Sequence, residues 1–201
     1  MGAFVRNILT VCALFAASAV SVARAADSAC VPTGADMLGP FYVSEMPVLD
    51  DINRFGKPGE PVRVSGAILS AAEGNPPVVN ARVEVWQTDG DGNYHPHGNG
   101  ARADYDDSDL DMRGATTTDE NGRYNYRSLV PGEYGSFLFG RPSHFHYRIS
   151  APGFRSLTTQ HYVLGGDRRI PDAECRAAEI TRDGDVALFV APDIYLRPEA
   201  R

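Results

Sequence analysis

Turn signals recur along this chain at short intervals and leave room only for short elements between them. Asp89-Gly90-Asp91-Gly92, Glu120-Asn121-Gly122, Pro131-Gly132 and Pro152-Gly153 are each built from residues that favour turns. Between such breaks lie runs of alternating or β-branched character: Val62–Leu69, Ala81–Gln87, Arg123–Leu129, His144–Ala151, Leu157–Val163 and Val186–Val190. Many short strands with this punctuation predict an all-β fold, an antiparallel β-sandwich with at most one short helix near Asp172–Glu179. Residues 26–60, rich in Pro, Gly and Asp, read as an irregular arm ahead of one sandwich domain over residues 61–201. Two loops are long for such a domain and read as functional: Asp89 to Gly114 and Gly135 to Gly140.

The first residues carry a different signature. Arg6 precedes an apolar or small-residue run from Ile8 to Val22, and Ala23-Arg24-Ala25 fits a small-residue cleavage site. That run is shorter than the roughly 20 residues needed to span a bilayer, so residues 1–25 read as a signal peptide rather than an anchor. The expectation is an exported protein, periplasmic or secreted, with no membrane attachment after cleavage. Removing Arg6 and Arg24 makes an already acidic chain, net charge −7, more acidic still. Such a surface argues against nucleic acid as a partner. Cys12 leaves with the leader, and the two remaining cysteines, Cys30 and Cys175, are expected to pair in an oxidising compartment.

The sharpest local feature is Arg141-Pro142-Ser143-His144-Phe145-His146-Tyr147-Arg148-Ile149-Ser150. Alternate side chains of a strand face opposite ways, so Phe145, Tyr147 and Ile149 share the core face. His144 and His146 then project together from the other face, where both rings can bind one metal. The remaining ligands decide which metal. A zinc enzyme would take a third histidine, with His161, His95 and His97 available. A ferrous facial triad needs a carboxylate, and none stands beside the pair. A calcium loop at Asp89 fails, because Tyr94 stands where that loop needs Gly and Gly100 where it needs Glu. Tyrosine is the other source: a phenolate is a hard anionic donor that favours Fe(III), and ionising it at neutral pH requires a strongly charged neighbour. Spacing alone selects none of the nine tyrosines.

Several stretches, in order, resemble the intradiol ring-cleaving dioxygenases, the group containing protocatechuate 3,4-dioxygenase and catechol 1,2-dioxygenase. They are Gly39-Pro40-Phe41-Tyr42, Asn80 to Gln87 running to Gly92-Asn93-Tyr94, and Arg113-Gly114. Thr118 to Tyr124, Val130 to Tyr134 and Arg141-Pro142-Ser143-His144-Phe145-His146 follow. The resemblance implies one non-haem Fe(III) per chain, held by Tyr94, Tyr134, His144 and His146. It implies that Tyr134 doubles as a displaceable base, that Arg141 stabilises negative charge on the substrate, and that Gln160 is a further polar contact to it. The implied partners are O₂ and a small catechol-type aromatic, the implied product is a cis,cis-muconate-type diacid, and a homo-oligomer remains open. The chain departs from its best-known relatives in two places. An irregular arm precedes Gly39 where catechol-type enzymes carry helices. Protocatechuate enzymes place basic residues after the first tyrosine, where this chain reads His95-Pro96-His97-Gly98-Asn99. Two rival readings stand beside this one: a non-catalytic transthyretin-like binding module, and a zinc enzyme using His144, His146 and a third histidine.

Overall fold

The computed structural model describes residues 28–135, 140–166, 169–170 and 172–200. The expected leader over residues 1–25 and the middle of the Gly135–Gly140 loop, residues 136–139, lie outside the described residues. The strands are β1 (Val43–Ser44), β2 (Pro61–Ser70), β3 (Arg82–Trp86), β4 (Gly100–Ala101), β5 (Arg113–Thr117) and β6 (Arg123–Leu129). They continue with β7 (His144–Ser150), β8 (Leu157–Val163), β9 (Ala177–Ala178), β10 (Ile180–Asp183), β11 (Val186–Val190) and β12 (Ile194–Leu196). A four-residue helix, α1 (Ala173–Arg176), precedes β9. It is shorter than the expected Asp172–Glu179 because Ala177 and Ala178 leave it to pair with Tyr162 and Val163 of β8.

Two five-stranded sheets face each other. One runs β10-β11-β2-β12 with β6 also paired to β2, and the other runs β5-β3-β7-β8-β9. Val62, Val64 and Ile68 from β2, Tyr124 and Tyr126 from β6, and Phe189 from β11 meet Val83, Val85, Phe145, Tyr147 and Ile149 in one buried core. Phe145 and Phe189 touch across the layers, ring centroids 4.7 Å apart. The pleat explains the partition: alternate residues of β2 and β6 are buried while Arg63, Arg123, Asn125 and Arg127 between them are exposed.

The sheets are mixed rather than wholly antiparallel. β11 and β12 both pair parallel to β2, and β9 pairs parallel to β8. The reason is topological, since the C-terminal strands return to β2 by long connections that allow parallel pairing. Besides the two-residue strands β1, β4 and β9, three strands escape the sequence pattern: β5, β10 and β12. β5 reads Arg-Gly-Ala-Thr-Thr and is buried on both faces up to Thr116, so it shows no alternation. A side chain at Gly114 would press on Ile52 Cγ2 at 2.9 Å, because the arm lies across this strand. The Glu120-Asn121-Gly122 turn carries the chain from β5 in one sheet to β6 in the other. Asp119 Oδ1 accepts from the backbone N–H groups of Asn121 and Arg123 to hold it.

The expected irregular arm contains β1 and is firmly attached to both sheets. Leu49 and Ile52 donate backbone hydrogen bonds to Ala115 and Arg127, one in each sheet, and Ile52 is fully buried in the core. Its first described residues are joined to the far end of the domain by a disulfide between Cys30 and Cys175. Among the described residues no helix is long and apolar enough to cross a membrane.

Candidate metal centre

The sheet face opposite the core carries the site. β7 lies between β3 and β8, with His146 registered against Trp86 on one side and Gln160 on the other, and His144 against Tyr162. Both histidines are buried, yet neither belongs to the sandwich core. The long loop after β3 brings Tyr94 over them, and its hydroxyl oxygen lies 3.0 Å from His146 Nε2 and 3.5 Å from His144 Nε2. The two Nε2 atoms are 3.0 Å apart. His144 Nδ1 lies 2.6 Å from the Pro142 carbonyl and donates to it, which leaves the Nε2 lone pair facing this meeting point.

Tyr134 is held beside the cluster by a bridge to Arg141, in which Arg141 N–H donates to Tyr134 O at 2.7 Å. Its ring lies edge-on to Tyr94 at 5.3 Å and 5.8 Å from that of His144. The residues at the two ends of the Gly135–Gly140 excursion are thus an expected ligand and the expected substrate arginine. Arg141 Nη2 donates to Gln160 Oε1 at 2.5 Å, and Gln160 Nε2 donates to Met37 O in the arm. All six residues expected at the site therefore lie on one side of one sheet.

Burial sets the electrostatics. It lowers the His144 pKa to about 4 and takes His146 well below its ordinary value, so both imidazoles are neutral. Burial and the adjoining Tyr134 hydroxyl push the Tyr94 phenol far above its ordinary value, and the charges of Arg141 and Arg113 only partly oppose this. Tyr94 can become a phenolate here only with a cation at its oxygen. The donor set fits such a cation. Two donors about 2.1 Å from one ion and roughly at right angles to each other lie about 3.0 Å apart, the spacing found here.

The third-histidine reading is corrected by the pleat. His161 alternates with Gln160 and Tyr162 and so faces the core, its ring 5.0 Å from Tyr147 and fully buried. His95 is engaged with Asp89 Oδ2 at 2.7 Å, and the His97 ring rests on Phe41 at 4.4 Å. Among the described residues no three His, Cys, Asp or Glu side chains gather as a metal site. The Asp89 stretch is a turn whose carboxylate accepts from Asp91 and Asn93 backbone N–H groups.

Some supporting residues have no role assigned from the sequence. Trp86 stacks on His146 with planes 11° apart, and Phe41 stacks on Tyr94 at 4.2 Å. Gly39, at φ +74°, lets the arm backbone approach His146, since a Cβ there would stand 3.4 Å from Cε1. Arg113, fully buried, donates to the carbonyls of Phe41, His95 and Pro96 and so ties the Tyr94 loop to the arm. Trp86 and Arg113 sit inside the resembling stretches, but only the strand register reveals what they touch.

A family model described as Dioxygenase matches residues 37–191, from the arm through β11. The chain belongs to the intradiol ring-cleaving dioxygenase family. Among intradiol relatives, the catechol 1,2-dioxygenase 2 of Acinetobacter lwoffii is 34% identical over 163 residues, covering 73% of this chain and 55% of that protein. The hydroxyquinol 1,2-dioxygenase of a Rhizobium species is 36% identical over 148 residues, covering 64% and 48%. The dioxygenase domain of a dioxygenase carbohydrate-binding protein fusion from Streptomyces sp. SirexAA-E aligns with a TM-score of 0.66 at 27% identity, covering 84% of this chain and 99% of that one. The chain spans about half the length of the curated relatives it matches. These intradiol relatives bear enzyme names, which does not favour the non-catalytic binding-module reading.

Proposed function

We propose that this chain is an exported non-haem iron dioxygenase that cleaves a catecholic ring between its two hydroxylated carbons. One O₂ is consumed, both its atoms enter the product, and the ring opens to a cis,cis-muconate-type diacid. The observation that carries the reading is the meeting of Tyr94 Oη, His144 Nε2 and His146 Nε2 within 3.5 Å of one another, with Tyr134 beside them. The names of the relatives supply the substrate class.

Tyr94, Tyr134, His144 and His146 would hold the ion. A ferric ion there would supply Lewis acidity that makes the bound ring reactive toward O₂. The protein's own residues do the rest. Tyr94 is the more enclosed of the two tyrosines and serves as a fixed anionic donor, whereas Tyr134 is only partly buried. Tyr134 Oη is therefore the base that takes a proton from the incoming catechol. Arg141 lies near enough for its charge to act on Tyr94, His144 and His146, and its Nε is buried with no acceptor among the described residues. That donor is free to stabilise negative charge on a ring oxygen in a site where burial strengthens the interaction. Phe41 and Trp86 pack around Tyr94 and His146 and limit water there.

Export is the second part of the proposal. It is supported by the leader signature over residues 1–25 and by the Cys30–Cys175 bridge, since disulfides persist in oxidising compartments. Mass measurement of protein recovered outside the cytoplasm should show cleavage after Ala25; an intact N-terminus would count against it. The reaction is tested by the visible spectrum of iron-loaded protein, which should show tyrosinate-to-Fe(III) charge transfer that changes on anaerobic addition of catechol. A colourless protein that takes up ferric iron would overturn the tyrosine ligand set.

A further inference from the structure

A chain of polar contacts runs from the C-terminal helix to Arg141. Arg176 of α1 donates through Nη1 to Asp36 Oδ2 at 2.5 Å, and both side chains are largely buried. Tyr162 Oη lies 3.0 Å from the same Asp36 oxygen and 3.1 Å from Gln160 Oε1. Arg141 Nη2 reaches Gln160 Oε1 at 2.5 Å and Tyr162 Oη at 3.4 Å.

The Tyr162 hydroxyl has one proton and two acceptors within reach. A carboxylate is the stronger acceptor, so the proton goes to Asp36. That choice leaves the Tyr162 oxygen lone pair and Gln160 Oε1 both facing Arg141. Without the charge on Asp36 the proton would turn to Gln160 Oε1 and compete with the guanidinium for it. Asp36 is itself fixed, because its backbone N–H donates to Thr158 O and its Oδ1 accepts from Met37 N–H. Arg176 follows Cys175, whose disulfide partner Cys30 lies in the same arm as Asp36.

We infer that Asp36 and Tyr162 are positioning residues for Arg141 and Gln160, with Asp36 setting the direction of the hydrogen-bond chain that aims the guanidinium at the substrate. The inference rests on the catechol-cleaving reading of the site. Its test compares iron-loaded wild type, Tyr162→Phe, Asp36→Asn and the double variant, with 4-nitrocatechol affinity measured anaerobically beside kcat and KM for catechol. Tyr162→Phe keeps the ring and the Asp36–Arg176 pair, so it folds even if Asp36→Asn, which removes a buried charge beside Arg176, does not. The expected result is wild-type iron content in Tyr162→Phe, with kcat/KM and 4-nitrocatechol affinity each down about tenfold. Where Asp36→Asn folds, it should show a similar loss, and the double variant should lose little more than either. Unchanged kinetics and affinity in Tyr162→Phe, or losses that multiply in the double variant, would overturn the inference while leaving the reaction intact. A loaded wild type that neither binds nor cleaves catechols would overturn the functional reading and this inference with it.

Discussion

Trp86 lies flat on His146, ring centroids 4.7 Å apart and planes 11° apart. Trp86 is the only tryptophan in the chain, so its emission reports on the surroundings of that imidazole. Ferric iron bound through His146 should quench the fluorescence strongly and in proportion to the fraction loaded. His146→Ala should abolish the quenching. Full loading without any change in emission would remove His146 from the ligand set.

Tyr134 and Tyr94 should separate under mutation. Tyr134→Phe is expected to keep part of its iron and lose about 10²-fold or more in kcat, the scale of a lost proton transfer. Tyr94→Phe should instead lose the metal. Iron analysis beside single-turnover kinetics distinguishes them, and undiminished turnover in fully loaded Tyr134→Phe would sink its role as base.

His161 makes stability depend on pH. Burial lowers its pKa to about 3 from an ordinary 6.5, so the folded state stays neutral where the unfolded state takes a proton. Stability from this group is full above pH 6.5 and falls with pH between those values, by about 1.4 kcal/mol per unit. Urea midpoints at pH 7 and pH 5 should differ less in His161→Leu than in wild type, by about 2 kcal/mol when converted to stability. Equal pH dependence in the two proteins would show that His161 is accessible to protons in the folded state.

Gly92 couples the two tyrosine loops. It stands two positions before Tyr94, at φ +86°, and a Cβ there would fall 2.3 Å from the carbonyl oxygen of Glu133, the residue before Tyr134. Gly92→Ala is expected to cost about 1–3 kcal/mol in stability, because both the backbone angle and the clash must be relieved. It should also weaken iron binding in a chelator competition, since relief moves the Tyr94 loop away from the Tyr134 loop. Wild-type iron affinity in a destabilised Gly92→Ala protein would show that the loops hold the metal independently.

Much of the fold is legible in the sequence because its core strands alternate. The pleat of β7 separates the core face, Phe145, Tyr147 and Ile149, from the site face, His144 and His146, without reference to any partner strand. β5 is not legible, because Arg113 to Thr116 is buried on both faces and has no period to read. The parallel pairings of β11 and β12 with β2 depend on long-range return of the chain, which no local pattern encodes. In the site, His144 and His146 stand on strand geometry, whereas Tyr94 and Tyr134 rest on loops and need the family resemblance. In the sequence His161 looks as available as any other third histidine; only the register of β8 against β7 sets it on the core side. Asp36 and Tyr162 are invisible there, since their contact spans 126 residues.

The bridge between Cys30 and Cys175 spans 145 residues of sequence, and every candidate ligand lies inside that span. The disulfide therefore closes residues 30–175 into a covalent ring, and β9 to β12 follow it. A single backbone cut anywhere within the ring opens it without dividing the molecule. In surroundings rich in proteases, such a nicked molecule would run as one band on a non-reducing gel and as two after reduction.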